Sequence, residues 1–103
     1  MSVVPVLAAL GDESRLSIVR KLSKSGPLSI SKLSAGAVIS RQAITKHLYA
    51  LHDAGLVRSE RRGREHIWRL EPKRLDDVRR YLETISAQWD SAIARLRDLV
   101  EER

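Results

Sequence analysis

One face of a segment near the middle of the chain carries side chains that can donate to, or accept from, base edges and phosphates. Plotted as a helix at about 100° per residue, residues 41–54 separate into two distinct faces. The polar face consists of Arg41, Gln42, Thr45, Lys46, Tyr49 and His52. Such a face is what a helix needs if it is to lie in the major groove of DNA.

The other face of the same segment is largely apolar. Its members are Ala43, Ile44, His47, Leu48, Leu51 and Ala54. Ser40 is a good N-cap because its hydroxyl can accept a hydrogen bond from a free amide of the first turn, and Gly55 is a good C′ residue. We therefore predict a capped helix of about four turns. Its amphipathicity alone is also typical of a surface helix with a solvated charged face.

The residues that follow this helix have the composition of a β-hairpin. Val57, Ile67 and Trp68 favour strands, and Gly63 favours a turn between them. Three arginines flank that glycine: Arg61, Arg62 and Arg64. A hairpin over residues 57–70, directly after a capped basic helix, predicts a winged helix-turn-helix. In that arrangement the wing lies against the phosphate backbone while the helix enters the groove.

Three segments in this order share a pattern with a known family. They are Ala9–Leu16 (ALGDESRL), Ser40–Val57, and Arg61–Arg64 followed by Trp68 and Leu70. Together they resemble the ArsR/SmtB family of bacterial winged-helix repressors over about residues 6–70, and their order and spacing are more specific than any one segment. The resemblance implies the fold, a homodimer and binding to operator DNA.

The chain is expected to form a mainly α-helical fold with a small β-hairpin, in the order α-α-β-α-α-β-β-α. We predict a single winged helix-turn-helix domain over residues 1–103. Its first helix covers residues 3–10, and its second covers residues 13–23 with Asp12 as the N-cap. The inward-facing residues of the second helix are predicted to be Leu16, Val19 and Leu22.

The segment before the polar helix is predicted to contain a short strand over residues 28–30 and a third helix. Ser29 or Ser31 caps this helix, which ends near Ala35. Residues 36–39 form the turn. The family commonly carries a glycine near the position of Val38, whereas this chain has Gly36 instead.

Apolar residues recur at steps of three and four throughout the C-terminal stretch. They are Leu75, Val78, Leu82, Ile85, Trp89, Ala92, Leu96 and Leu99. A repeat of about 3.5 residues is typical of a coiled-coil seam. A helix over residues 73–101 would reach about 42 Å, which is longer than a domain of this size can cover. Part of the stripe must therefore be buried against something else.

The resemblance implies that a second copy of the chain covers the stripe, because the family builds its dimer from the terminal helices. Val3, Leu7 and Leu10 would complete the interface from the N-terminal helix. Alternatively, the last helix packs wholly on its own domain. Trp89 could also line a ligand pocket, since an indole offers a flat apolar surface and one donor, but its place in the seam favours packing.

Composition and charge point independently to a polyanion partner. The chain has 19 Lys and Arg against 13 Asp and Glu, a net charge of +6. Few aromatic residues and no phenylalanine argue against modules that stack RNA bases or single strands on exposed rings. No apolar run approaches a membrane span, so no membrane partner is expected. The lack of cysteine excludes disulfides, and a cytoplasmic location is the simplest interpretation.

Metal binding and catalysis both lack the residues they need. Relatives that sense metals use cysteines on the helix before the polar helix, or histidine and carboxylate pairs on the last helix. Here residues 30–35 hold no thiol, and the chain has no histidine from Lys73 onward. The three histidines, His47, His52 and His66, are not spaced as a ligand cluster. We expect no metal, no cofactor and no enzymatic activity.

Three functional hypotheses follow. The first, which we favour, is a homodimeric, sequence-specific regulator of the ArsR type without a metal site, most simply a repressor on an inverted-repeat operator of double-stranded DNA. Major-groove contacts are assigned to Arg41, Gln42, Thr45 and Lys46. Phosphate contacts are assigned to Ser40 and Tyr49, and contacts to the flanking backbone or minor groove are assigned to the wing arginines.

The second hypothesis is a winged-helix protein-interaction module, although such modules usually expose an apolar patch. The third is a low-specificity nucleoid-type DNA binder, which Gln42 and Thr45 disfavour because they are base readers more than charge donors.

Overall fold

The computed structural model of the protein describes residues 2–102 and has the predicted order of elements. The helices and strands are α1 (Val4–Leu10), α2 (Glu13–Ser25), β1 (Leu28–Ser29), α3 (Ile30–Ser34), α4 (Arg41–Asp53), β2 (Val57–Arg62), β3 (Glu65–Leu70) and α5 (Pro72–Glu101). The fold is mainly helical, with a small three-stranded sheet and a long last helix. The predicted fold class is confirmed.

Side-chain caps begin four of the helices, and at α5 the Glu71 carboxylate accepts from the Lys73 amide at 3.5 Å. The Asp12 carboxylate accepts from the Arg15 amide at 3.0 Å, and this bond lowers the pKa of Asp12. Ser29 accepts from the Lys32 amide at 3.2 Å, so Ser29 and not Ser31 caps α3. Ser40 accepts from the Ala43 amide at 3.1 Å, as predicted. The caps fix where α2, α3 and α4 begin, because each one satisfies an amide that has no partner within its helix.

Several boundaries and one burial prediction need correction. Helix α2 continues to Ser25, where Gly26 ends it at a φ of +78°. Strand β1 stops at Ser29 because Ile30 already begins α3. On α2 the core residues are Ile18, Val19 and Leu22, whereas Leu16 is only partly buried.

The sheet is antiparallel in the order β1-β3-β2, so β3 is its central strand. Val57 pairs with Leu70, and Ser59 pairs with Trp68. Side chains alternate along a strand, and paired residues share a face. One face therefore carries Val57, Ser59, Arg61, His66, Trp68 and Leu70, and its buried members join the core.

The core lies between the sheet and the inward faces of the helices. Its most deeply buried side chains are Trp68, Ile44, Leu48, Leu51, Leu56 and Val57. Three of them, Ile44, Leu48 and Leu51, form the predicted apolar face of α4. Because burial of this face leaves Arg41, Gln42 and Lys46 exposed, the core fixes which side of α4 meets solvent.

The end of α4 is joined to the beginning of α5. Gly55 follows α4 at a φ of +79°, which confirms the predicted C′ glycine. The Glu71 amide donates to the Leu56 carbonyl at 2.8 Å. The side chain of Arg74 packs over Gly55 and donates to Asp77 at 2.8 Å. The beginning of α5 is therefore anchored directly to the end of α4.

Substituting Gly55 with alanine should destabilise the subunit. A left-handed conformation costs a residue with a Cβ about 1–2 kcal/mol. The added Cβ would also lie 3.0 Å from Cγ of Arg74, so that Arg74 would have to shift. Gly63→Ala is the matched control, because Gly63 also has a positive φ but a Cβ added there would meet no atom within 4 Å. Urea unfolding should show a larger loss for Gly55→Ala, and equal losses would contradict the Arg74 contact.

Most of α5 extends away from the rest of the subunit. Val78, predicted to lie in the dimer seam, is only 7% exposed and belongs to the subunit's own core, so that prediction is corrected. Leu75 and Leu10 are partly buried against the same core. From Arg79 to Glu102, every residue except Ala92 is exposed. The helix therefore leaves a long apolar stripe uncovered.

Candidate nucleic-acid interface

The first turns of α4 present the polar side chains that the sequence indicated. Arg41, Gln42 and Lys46 are exposed, and Thr45 is partly buried. The Thr45 hydroxyl donates to the Arg41 carbonyl at 2.9 Å, so its proton is used inside the helix. Its methyl group and remaining lone pair can still meet a thymine methyl or a base donor. Thr45 therefore cannot donate a hydrogen bond to a base while this bond is kept, although its position in the sequence suggested that it could.

Tyr49 connects α4 to the hairpin. Its ring lies 5.9 Å from the ring of Trp68 in an edge-to-face arrangement, and the tyrosine remains 54% exposed. His66 approaches the same indole at 6.3 Å. Aromatic pairs in this geometry are favourable beyond their buried area. The contacts fix the orientation of the hairpin relative to α4, a role that the sequence did not reveal for Tyr49.

The three hairpin arginines do not form one cluster. Arg61 pairs with His66 across the strands and lies on the same face as Trp68, whereas Arg62 pairs with Glu65 and lies on the opposite face. Arg62 also forms an ion pair with Glu60 at 2.8 Å. Arg64 occupies the two-residue loop with Gly63, whose φ is +61°. The strand register therefore separates Arg62 from Arg61.

Arg61 and Arg64 instead lie close to the beginning of α4. Together with Arg41 and His66 they line a single open cleft between α3, α4 and the hairpin. The sequence had placed Arg41 on the helix and the other two on the wing without relating them. Their proximity makes the start of α4 and the hairpin one continuous basic surface.

Sequence reasoning missed one residue that positions this region. Lys21 on α2 directs its ammonium toward the carbonyl oxygens of Lys32, Leu33 and Ala35, at 3.3, 3.3 and 3.5 Å. These carbonyls lie at the end of the short helix α3, where they have few other partners. Lys21 therefore holds α3 in place ahead of α4. The contact spans eleven to fourteen residues, so no local pattern could have indicated it.

Within residues 2–102 the structure contains no group of three or more histidine, cysteine or acidic side chains that could hold a metal ion. The ion pairs of the last helix instead join acidic residues to arginines, as in Arg79 with Asp76 and Arg80 with Asp77. In the same described part of the chain, no helix has the length and apolar character needed to cross a bilayer.

Comparisons with known proteins agree with this geometry. A family model described as bacterial regulatory protein, arsR family, matches residues 12–59. The HTH-type transcriptional regulator Rv2034 of Mycobacterium tuberculosis is 31% identical over 93 residues, which cover 90% of this chain and 83% of that protein. The arsenical resistance operon repressor of Escherichia coli is 33% identical over 69 residues, covering 67% of this chain and 59% of that protein.

A solved structure extends the similarity to nearly the full chain. An ArsR-like transcriptional regulator from Rhodococcus sp. RHA1 superposes with a TM-score of 0.80 at 40% identity, covering 94% of this chain and 91% of that one. Members of this family are transcriptional regulators rather than enzymes. The chain belongs to the ArsR family of bacterial transcriptional regulators.

Proposed function

We propose that the protein is a homodimeric, sequence-specific repressor that binds operator DNA without a metal ion. The observation that carries this proposal is the continuous basic surface formed by the start of α4 and the face of the hairpin that holds Arg61. A helix with exposed polar side chains beside a basic hairpin fits a groove flanked by two phosphate backbones. A regulator that binds operator DNA acts where that DNA lies, and we place the protein in the cytoplasm.

The proposed contacts follow the exposed face of α4. Gln42, Thr45 and Lys46 would meet base edges in the major groove, with Arg41 at its rim. Ser40 and Tyr49 lie toward phosphate, although the Ser40 hydroxyl is already engaged as the helix cap. Arg62, Arg61 and Arg64 would reach the flanking backbone or minor groove.

A second copy of the chain is the proposed partner of α5. Leu82, Ile85 and Trp89 are 52%, 41% and 66% exposed, and Leu96 continues the row. Leu7 on α1 and Val4 beside it are also exposed. Contiguous apolar surface of this kind marks an interaction site, and its repeat suits a second helix of the same kind. Val3 and Leu10 would lie at the edge of this interface.

The proposed role as a repressor rests on the relatives. The proposed lack of a metal site rests on the residues that the chain offers as ligands. One relative is named an arsenical resistance operon repressor. This chain has no cysteine, and α5 has no histidine, so neither a thiolate site nor a histidine–carboxylate site can be assembled on these elements.

We expect that a chelator or added zinc leaves the operator dissociation constant unchanged. A large zinc response in a binding titration would contradict this.

Gln42→Ala should reduce sequence preference more than affinity for DNA in general. Loss of a base-edge contact costs about 1–3 kcal/mol on the preferred duplex and little on an unrelated one, because only the preferred duplex offers the matching edge. His52→Ala is the control, since His52 is exposed on α4 but distant from its first turns. Equal losses on both duplexes would mean that Gln42 touches only the backbone.

Titration of the full chain with duplex DNA at several salt concentrations tests the proposed function. Binding should weaken linearly in log K against log salt, with a slope of about −0.9 for each phosphate neutralised. A preferred duplex should also bind far more tightly than a scrambled one. Binding without any sequence preference would favour the nucleoid-type alternative, and no binding to duplex DNA would favour a protein-interaction module.

A further inference from the structure

The cleft between α3, α4 and the hairpin has the features of an anion site. It is open to solvent and has a volume of about 270 Å³. Its basic lining comes from two separate elements: Arg41 begins α4, while Arg61 and Arg64 belong to the hairpin. The hydroxyl-bearing residues Ser29 and Ser31 and the imidazole of His66 complete the polar lining. The site is small, below the usual range for organic ligands, and suits a single compact group.

The charges of the cleft are largely uncompensated. Among residues 2–102, no carboxylate lies within 4.0 Å of the guanidinium groups of Arg41, Arg61 or Arg64, although five other arginines form such pairs. Glu65 is the acidic residue in the lining, so three arginines face one carboxylate. The cleft therefore keeps a net positive charge that an anion would neutralise.

We propose that this cleft is a seat for one phosphate group, shared by Arg41 and the two hairpin arginines. Planar guanidinium groups bind phosphate through paired hydrogen bonds, and several of them around one group add geometric specificity. The inference rests on the proposed function for its source of phosphate, a phosphodiester of the duplex backbone; a free phosphate monoester offers the same chemistry. Arg41 then contributes affinity rather than sequence preference, which departs from the role expected of it in the major groove.

The register of the hairpin supplies a matched control. Arg58 and Arg69 lie on the face opposite Arg61, and both are exposed. The double variants Arg61→Ala/Arg64→Ala and Arg58→Ala/Arg69→Ala therefore remove the same charge from the same hairpin, but only the first pair removes arginines from the cleft. Glu65→Gln removes the single negative charge and should act in the opposite direction. All substituted side chains are exposed, and melting temperatures check that each variant is folded.

The first measurement is the salt dependence of duplex binding. If Arg41, Arg61 and Arg64 share one phosphate, changing all three to alanine should make the log–log slope shallower by about 0.9, whereas three separate phosphates would give about 2.7. The control pair should leave the slope closer to that of the wild type, and Glu65→Gln should tighten binding. Arg41→Ala should weaken preferred and scrambled duplexes equally. A slope change of about 2.7 in the triple variant, a wild-type slope in the triple variant, or a selective loss with Arg41→Ala would overturn the shared seat.

The second measurement uses inorganic phosphate alone, followed through the NMR signals of the His66 imidazole at constant pH. Phosphate should shift them saturably in the wild type and in the control pair, but not in Arg61→Ala/Arg64→Ala. It should also compete with duplex DNA if the seat is filled by the backbone. Saturable shifts in a protein that does not bind duplex DNA would support the seat with a free phosphate source, while refuting the proposed function. No saturable shift, or the same shift in all variants, would overturn the proposal.

Discussion

Leu82→Glu should convert the protein to monomers and remove its tight binding to an operator. Leu82 is 52% exposed in the single chain and lies on the part of α5 that extends away from the rest of the subunit. A charge there would be buried without a partner in the proposed dimer, which is strongly unfavourable. Two half-sites about one helical turn apart need two linked recognition helices. Operator affinity should therefore fall toward that of non-specific binding, by roughly 10³-fold or more.

Ala87→Glu is the matched control for this change. Ala87 is exposed on the same helix, but at about 100° per residue it lies on the side away from the apolar stripe. It adds the same charge without entering the proposed seam. Light scattering should give a monomer mass for Leu82→Glu and a dimer mass for Ala87→Glu. Tight operator binding should be lost in Leu82→Glu and kept in Ala87→Glu. A Leu82→Glu protein that stays dimeric would refute the assignment of the seam.

Trp68→Ala should cost about 3–5 kcal/mol of unfolding free energy, a large part of the stability of a domain this size. Trp68 is 1% exposed and is contacted by the rings of Tyr49 and His66. Trp68→Phe should cost much less, because an aromatic ring remains. The indole N–H of Trp68 has no hydrogen-bond partner within residues 2–102, so the change to phenylalanine loses little hydrogen bonding.

Trp89→Ala is the matched control for Trp68→Ala, because it removes the same side chain from a different environment. Trp89 is 66% exposed, so Trp89→Ala leaves the core of the subunit intact. If Trp89 lies in the dimer seam, its loss should destabilise the protein in a way that depends on protein concentration. Urea unfolding curves recorded at two protein concentrations separate the loss of core packing from the loss of dimer contacts. Similar, concentration-independent losses for both alanine variants would contradict the burial assigned to Trp68 and the role assigned to Trp89.

The sequence was sufficient wherever structure follows from local pattern. The helical period of residues 41–54 predicted that Ile44, Leu48 and Leu51 would be buried, and they are. Ser40 and Asp12 cap the helices that they were expected to cap, because a cap depends on only a few neighbouring residues. The order of elements followed from the same local signals.

Relations between distant residues could not be predicted in this way. The hairpin arginines looked like one cluster because they are adjacent in sequence, but pairing with β3 puts Arg62 on the other face. A one-residue change of register would have reversed this, and no local pattern fixes the register. Val78 fits the repeat of α5 equally well as core or as seam, since the period does not say which surface covers it.

Selection of bound sequences from a random duplex library tests the central claim most directly. Two copies of α4 held by one dimer should recover an inverted repeat whose half-sites lie about one helical turn apart. Gln42→Ala should lose the preference at specific positions of each half-site, while Arg41→Ala should keep the same sequence at lower affinity. Recovery of no enriched sequence, or of a single half-site by a dimeric protein, would contradict the account.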